Sequence, residues 1–348
     1  MTRAPVRASV FGKTDLGRSR EHNEDTFLVA DLSTGNASLQ PEVRQHEVGA
    51  RGSLFMVADG MGGAAAGELA SAMAADLIYR HLATAWARDS DVSAERFAFR
   101  MKEAVELANE QIYGYAREHP EVRGMGTTVT AAGVFGEDLY VAQIGDSRGY
   151  LVRNDEAIQL TKDQSLMQRL VDAGELTEEE AEQSERRNII LQALGPDPRV
   201  RVDLTHQVLR RGDTLILCSD GLSGSVRREE FAQVATEQKD LPSLCARLID
   251  LANERGGPDN ITVVAARFEG EGLAEPNESE GVGYRVYHLT EVEEPAEPST
   301  VEMAPPPPPS APVEPAPHDP TSRSGRTREV LILVALLCLL AALLAFWL

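Results

Sequence analysis

Phe55-Met56-Val57-Ala58-Asp59-Gly60-Met61-Gly62-Gly63 sets a short apolar run against one carboxylate and then against glycines. The apolar residues read as a strand buried on both faces, with Asp59 at its end. The glycines let the backbone come close to whatever Asp59 binds, so the Gly60 carbonyl can reach the same partner. Three segments further along repeat the arrangement: Val141-Ala142-Gln143-Ile144-Gly145-Asp146, Leu215-Ile216-Leu217-Cys218-Ser219-Asp220-Gly221, and Gly256-Gly257-Pro258-Asp259-Asn260 opening the run Ile261 to Ala265. Taken singly, Asp-Gly after a strand is an ordinary turn. Four aspartates placed alike on strand ends suggest a shared site. A turn does not explain the stretch Thr14 to Asp25, which crowds Arg18, Arg20, Glu21, Glu24 and Asp25 just ahead of Phe27-Leu28-Val29.

Carboxylates gathered in one cleft repel each other and stay ionised at neutral pH only if a cation offsets them. An all-oxygen donor set without His or Cys favours Mg2+ or Mn2+ over Zn2+. Two such ions sharing a carboxylate are the usual arrangement for directing water at phosphorus, so phosphate ester hydrolysis leads the candidate chemistries.

Residues 69–87 place Leu69, Met73, Leu77, Ile78 and Leu82 on one helical face, and residues 93–118 do the same with Phe97, Met101, Val105, Leu107 and Ile112. Thr127 to Phe135 and Leu139 to Ile144 flank the turn Gly136-Glu137-Asp138 as a hairpin, and Gly149 to Arg153 follows at once as a further strand. Such short connections require antiparallel strands. Thr177 with Glu180 forms a capping box, and Pro242 to Arg255 reads as a helix ended by Gly256 and Gly257. The polar, Gly-containing insertion from Leu32 to Arg51 reads as a surface loop. Together these elements give an α+β layered domain.

With 348 residues and 42% hydrophobic content the chain has ample material for a core. Its net charge of -21 argues against nucleic acid as a partner. Cys218, Cys245 and Cys338 form neither a disulfide framework nor a zinc spacing, and Cys218 reads as a small apolar strand residue. From about Glu269 the chain turns to Glu, Pro, Gly and Ser, including the prolines 305–309, so 269–329 is expected to be an acidic, proline-rich, disordered linker. Tyr284 to Leu289 interrupts it with modest β character and no assignment. Val330 to Leu348 is unbroken and apolar; as a helix it would span about 28 Å, the thickness of a bilayer interior. Arg323, Arg326 and Arg328 stand before it, which would keep the preceding domain cytoplasmic and make the chain a single-pass inner-membrane protein.

The string from Thr14 to Phe27, then VADGMGG, GMGTTVT, IGDSR, LTKDQS, RRNIILQALG, CSDGL and GGPDNIT, in order over residues 8–268, resembles the bacterial branch of the metal-dependent protein phosphatases of type 2C. The resemblance implies a four-layer αββα sandwich with two central antiparallel sheets flanked by helices. It implies two Mn2+ or Mg2+ ions, with a third held more weakly. By position, Asp59 resembles the bridging ligand with the Gly60 carbonyl beside it, Asp220 and Asp259 the other ligands of the first ion, Glu24 the acidic group near the second, and Asp146 the ligand of the third. Arg20 resembles the phosphate-binding arginine and Asp25 a group orienting metal-held water. The implied reaction is direct attack of a metal-bridging hydroxide on phosphoserine or phosphothreonine, with serine/threonine kinases and their substrates as partners. Two departures stand out. Met61 occupies the place of a histidine in eukaryotic members, which leaves a metal-bound water as the acid. Gln164 replaces a common His just before Ser165–Ser184, the counterpart of the family's flap. A catalytically silent membrane-tethered phosphoprotein scaffold is the competing reading, and it predicts loss of one or more of Asp59, Asp220 and Asp259.

Overall fold

The computed structural model describes residues 4–277 and 281–289. In chain order the strands are β1 (Arg7–Asp15), β2 (Asp25–Asp31), β3 (Asn36–Ser38), β4 (Arg44–Glu47), β5 (Ser53–Met61), β6 (Gly126–Thr127), β7 (Val129–Phe135), β8 (Asp138–Ile144), β9 (Arg148–Arg153), β10 (Glu156–Gln159), β11 (Asp203–Val208), β12 (Thr214–Cys218) and β13 (Ile261–Glu269). The helices are α1 (Ala64–His81), α2 (Ala94–Glu118), α3 (Leu166–Asp172), α4 (Glu178–Glu182), α5 (Asp220–Ser223), α6 (Arg228–Glu237) and α7 (Leu241–Glu254). One sheet runs β10-β9-β12-β13-β1-β4 and the other β11-β8-β7-β5-β2-β3, with β6 paired to the end of β5; every pairing is antiparallel.

Strand β5 shows why its sequence lacks alternation. Leu54, Met56 and Ala58 face a cluster shared with Ile78 of α1 and Phe97, Met101 and Val105 of α2. Phe55 and Val57 face the opposite way, into a second cluster with Val10, Leu217, Val264 and Phe268 of the other sheet. A strand covered on both sides gains by being apolar at every position. A third cluster joins Ile216, Val263 and Ala265 to Phe231 of α6 and Leu244 and Leu248 of α7. Helix, sheet, sheet, helix is therefore the order of layers.

The helices start where side chains can cap them: Ser93 accepts from Arg96 N–H ahead of α2, Asp240 from Ser243 N–H ahead of α7, and the Thr177–Glu180 capping box is present. The expected helix over 69–87 is α1 followed by a π-helical turn, Leu82–Trp86. In α2 the residues Phe97, Met101, Val105 and Ile112 are buried, whereas Leu107 faces solvent because it falls out of the four-residue step.

Two expectations need correction. The insertion 32–51 is not simply a loop: β3 extends the sheet of β2, and β4 pairs with β1 of the other sheet. Its strand Arg44-Gln45-His46-Glu47 is polar because it is an edge with little to bury, so apolar patterning could not reveal it. The folded unit also continues past residue 268. Leu273 is buried between the sheets, Gly272 N–H donates to the Pro5 carbonyl at 3.1 Å, and residues 281–289 lie along β11. Among the described residues no helix is long and apolar enough to cross a membrane. The expected membrane segment 330–348 and, of the linker, residues 278–280 and 290–329 lie outside the described residues.

Candidate active site

Asp25 opens β2, Asp59 falls near the end of β5, and the register sets them directly opposite each other. Thr127 and Thr128 clamp the Asp59 backbone: Thr128 N–H and the Thr127 hydroxyl donate to the Asp59 carbonyl at 2.8 and 2.9 Å, and the Asp59 N–H donates to Thr128 Oγ1 at 3.1 Å. Thr128 Oγ1 and Ser147 Oγ are 2.7 Å apart, which ties this corner to the turn carrying Asp146. Next to Asp59, the Gly60 N–H donates to the Glu24 carbonyl at 3.1 Å, and Ser71 Oγ of α1 donates to the same carbonyl at 2.6 Å. The crossing of β5 and α1 is tight enough that a Cβ at Gly60 would strike the Gly67 and Glu24 carbonyls, and one at Gly67 would strike the Glu24 carboxylate.

Asn260 fastens the N-terminal loop to the turn before β13. Its Oδ1 accepts from Glu24 N–H at 2.9 Å, and its Nδ2 donates to the Leu16 and His22 carbonyls, both at 3.0 Å. Arg20 and Asp259 form an ion pair at 2.7 Å, with half of the Arg20 side chain in solvent. Ser219 Oγ donates to Asp25 Oδ2 at 2.8 Å and accepts from Thr262 N–H at 3.0 Å. On the far side, Gln164 grips Gly145 from two directions: its N–H donates to the Gly145 carbonyl and its Oε1 accepts from Gly145 N–H, each at 2.9 Å. The residue that departs from the family pattern thus holds the turn that aims Asp146.

Burial raises the pKa of Asp25, Asp59, Asp146 and Asp220, and each of the four is raised further by at least one neighbouring aspartate. Asp25 is pushed up to about 7, against hydrogen bonds from Thr262 and Ser219 that pull it down, and Asp146 to about 8. Glu24 is raised by burial against the pull of Arg20, and Asp259 acts on it as well. Among the described residues no group of three His, Cys, Asp or Glu side chains stands ready to hold a metal ion. Asp259 is engaged by Arg20, and Asp59 hydrogen-bonds Asp220, so these oxygens point at each other and at the guanidinium. The residues nonetheless suit hard divalent cations. Asp25 Oδ1 and Asp146 Oδ1 are buried with no hydrogen-bond partner, and a crowd of mutually raised carboxylates is what a cation of charge two would relieve.

The structure brings Arg20, Glu24, Asp25, Asp59, Gly60, Asp146, Asp220 and Asp259 into one cluster, from an N-terminal loop, β2, β5, the turns before β9 and β13 and the start of α5. Sequence reasoning passed over Asn260, Ser219, Thr127 and Thr128, all buried, although they stand within the quoted motifs GGPDNIT, CSDGL and GMGTTVT. Their signal was polarity beside apolar strands, which by itself does not distinguish a brace from a ligand. Cys218 is buried and its thiol is pushed up to about 12 by burial, which suits a packing residue and not a nucleophile.

Residues 37–259 match the protein family described as Protein phosphatase 2C. The chain is similar to the serine/threonine phosphatase stp of Listeria innocua, 38% identical over 253 residues that make up 72% of this chain and 92% of the relative. It is also similar to the serine/threonine protein phosphatase PstP of Mycobacterium tuberculosis, 37% identical over 266 residues, 76% of this chain and 46% of the relative. Among solved structures, the catalytic domain of serine threonine protein phosphatase PstP in complex with two manganese ions superposes with a TM-score of 0.62 at 34% identity, covering 76% of this chain and 99% of that one.

Proposed function

This chain belongs to the protein phosphatase 2C family, and we propose that the carboxylate cleft is where it removes phosphate from phosphoserine and phosphothreonine on proteins. It is a protein serine/threonine phosphatase that works with Mn2+ or Mg2+. The observation that carries the assignment of the site is the facing of Asp25 and Asp59 across β2 and β5 amid Asp146, Asp220 and Asp259, with buried carboxylate oxygens left unpartnered.

Asp59, the Gly60 carbonyl, Asp220 and Asp259 would hold the first ion, Asp59 and Glu24 the second, and Asp146 a third. When bound, the ions supply an acidified water and offset the charge of the phosphate. The chain's own residues do the rest. Asp25, whose Oδ2 accepts from Ser219 and whose Oδ1 has no hydrogen-bond partner, can accept from a water beside Asp59 and so orient it. Arg20, half in solvent on a loop pinned by Asn260, can turn its planar fork from Asp259 to two phosphate oxygens. Met61 offers no proton at the leaving group, so departure of the serine or threonine oxygen does not draw on that position.

The chain would oppose serine/threonine kinases close to the inner membrane, held there by the apolar run Val330 to Leu348 with Arg323, Arg326 and Arg328 on its cytoplasmic side. Support for this comes from the length and charge pattern of that segment. The catalytic reading is tested with a phosphothreonine peptide and a chromogenic aryl phosphate. Turnover is expected with Mn2+ and none with chelator, and Asp59→Asn or Asp220→Asn should lack it; full activity in chelator, or in either variant, would overturn the assignment. The tether is tested by comparing phosphopeptide levels in cells making the full chain or one ending at Ser322: membrane-attached targets should be more phosphorylated with the shortened chain, and equal levels would count against it.

A further inference from the structure

Strand β11 is the outer strand of its sheet, and an outer strand offers a row of unpaired backbone groups. Residues 281–289 cover that edge. His206 N–H donates to the Arg285 carbonyl at 3.1 Å, Tyr287 N–H donates to the Leu204 carbonyl at 2.7 Å, and Thr205 pairs antiparallel with Val286. Tyr287 also meets the Tyr140 ring edge-on at 5.1 Å between centroids and the His206 ring at 5.5 Å. This is strand addition carried out by the chain upon itself, with specificity from the aromatic side chains.

The covering segment does more than close an edge, because Tyr284 reaches the base of the flap. Its hydroxyl lies beside Asp203, with Arg201 and Asp172 close enough to act on it, and burial first, then Asp203, raises the phenol above its ordinary value; Arg201 itself reaches Asp203 at 3.6 Å. Asp172 ends α3 on the outgoing limb of the flap, where Lys162 pairs with it at 2.7 Å. Arg201 lies on the chain that returns from the flap to β11, its N–H donating to Gln192 Oε1 at 2.9 Å and its carbonyl accepting from Gln164 Nε2 at 3.3 Å. Asp172 within the flap and Arg201 beyond it therefore both lie near Tyr284. The limbs are themselves zipped together where Leu166 N–H donates to the Ile189 carbonyl at 2.9 Å and Leu191 N–H to the Gln164 carbonyl at 2.7 Å. Gln164 in turn holds the Asp146 turn.

We propose that residues 281–289 form a built-in brace that adds a strand to β11 and, through Tyr284, sets the position of the flap, which makes the first stretch of the tail a specificity-determining part of phosphoprotein recognition. The proposal rests on the reading of the flap as the substrate-facing element of a protein phosphatase. Tyr284 and Tyr287 are positioning residues that act through the flap.

The test uses the full chain with Mn2+ and two variants. Tyr287→Pro removes both the N–H donor to Leu204 and the ring, and Tyr284→Phe removes only the hydroxyl. Amide hydrogen exchange is followed at His206, which reports the brace, and at Leu166 and Leu191, which report the flap; steady-state kinetics are measured on a phosphothreonine peptide and on an aryl phosphate. In Tyr287→Pro, exchange should quicken at all three amides and KM for the peptide should rise about fivefold, the worth of one net hydrogen bond, with aryl phosphate turnover within about twofold of the parent. Tyr284→Phe should move the flap amides and the peptide KM in the same sense while leaving His206 protected. Faster exchange at His206 with unchanged flap amides and unchanged peptide KM would overturn the proposal, since the segment would then be only an edge cover. Unchanged exchange at His206 in Tyr287→Pro would overturn it as well. Should the parent hydrolyse neither substrate, the phosphatase reading fails, and the exchange data alone still judge whether the segment braces the flap.

Discussion

Asn260 satisfies three backbone groups of the N-terminal loop with one buried side chain, so Asn260→Ala leaves the Glu24 N–H and the Leu16 and His22 carbonyls without partners. At roughly 0.5 to 1.5 kcal/mol for each net bond the loss should be about 2 to 4 kcal/mol, read by urea unfolding; a loss below about 1 kcal/mol would show that water replaces the amide. Arg20→Ala acts differently, because its ion pair is half exposed and adds little to stability. It should instead raise KM for phosphopeptide by the worth of a charge-assisted pair, roughly 1.5 to 3 kcal/mol, with a much smaller change in melting temperature. The pH dependence follows from Asp25 at about 7 and Asp146 at about 8, against 3.8 for a free aspartate. With folded values raised, the folded chain binds more protons than the unfolded chain between those limits. Stability of the chelated protein should therefore fall as pH rises from about 4 through about 8, and Mn2+ should restore more of it at the alkaline end. Thermal melts at several pH values with and without Mn2+ check this, and a chelated protein that gains stability over that range would contradict it.

At the scale of elements, the crossing of α1 over β5 permits a prediction in which two effects oppose. Gly67→Ala should favour the helix by about 1 kcal/mol on propensity, yet its Cβ would run into the Glu24 carboxylate. Since the collision involves Glu24, the group proposed to hold the second ion, activity should drop at least tenfold even if the melting temperature holds; undiminished kcat would show that Glu24 moves aside freely. The same contrast explains what could be read from sequence alone. Strands β5, β7 and β8 and the helix α2 were legible because each buries apolar side chains on one or both faces, which leaves a period in the sequence. Strands β3 and β4 were not, because they sit at sheet edges and are held chiefly by backbone hydrogen bonds, which any side chain allows, and the segment 284–289 showed only as modest β character, since nothing in sequence tells that its partner is the edge of β11. Every carboxylate placed in the cleft was legible, as an acid ending an apolar run or packed into the charged segment before β2. The polar residues that aim them were not, since a buried Asn or Thr looks the same in sequence whether it supports a site or a turn.

For the whole molecule, the two sheets act as a rigid frame that carries acidic side chains from widely separated parts of the chain to one cleft. Asp25 and Asp259 are brought there by strands that lie in different sheets or lead into them, and Asp59 and Asp220 likewise, so the site exists only when both sheets are face to face. Isolated pieces of the domain should hold no ions. The net charge of -21 adds a diffuse attraction for any cation, which makes a specific control necessary. Calorimetric titration of Mn2+ into the full chain, beside Asp59→Asn, is the direct measurement: the account predicts at least two ions taken up saturably by the parent, with proton release that grows as pH falls toward 7, and loss of the tight uptake in the variant. Absence of saturable uptake, or equal uptake by Asp59→Asn, would contradict it.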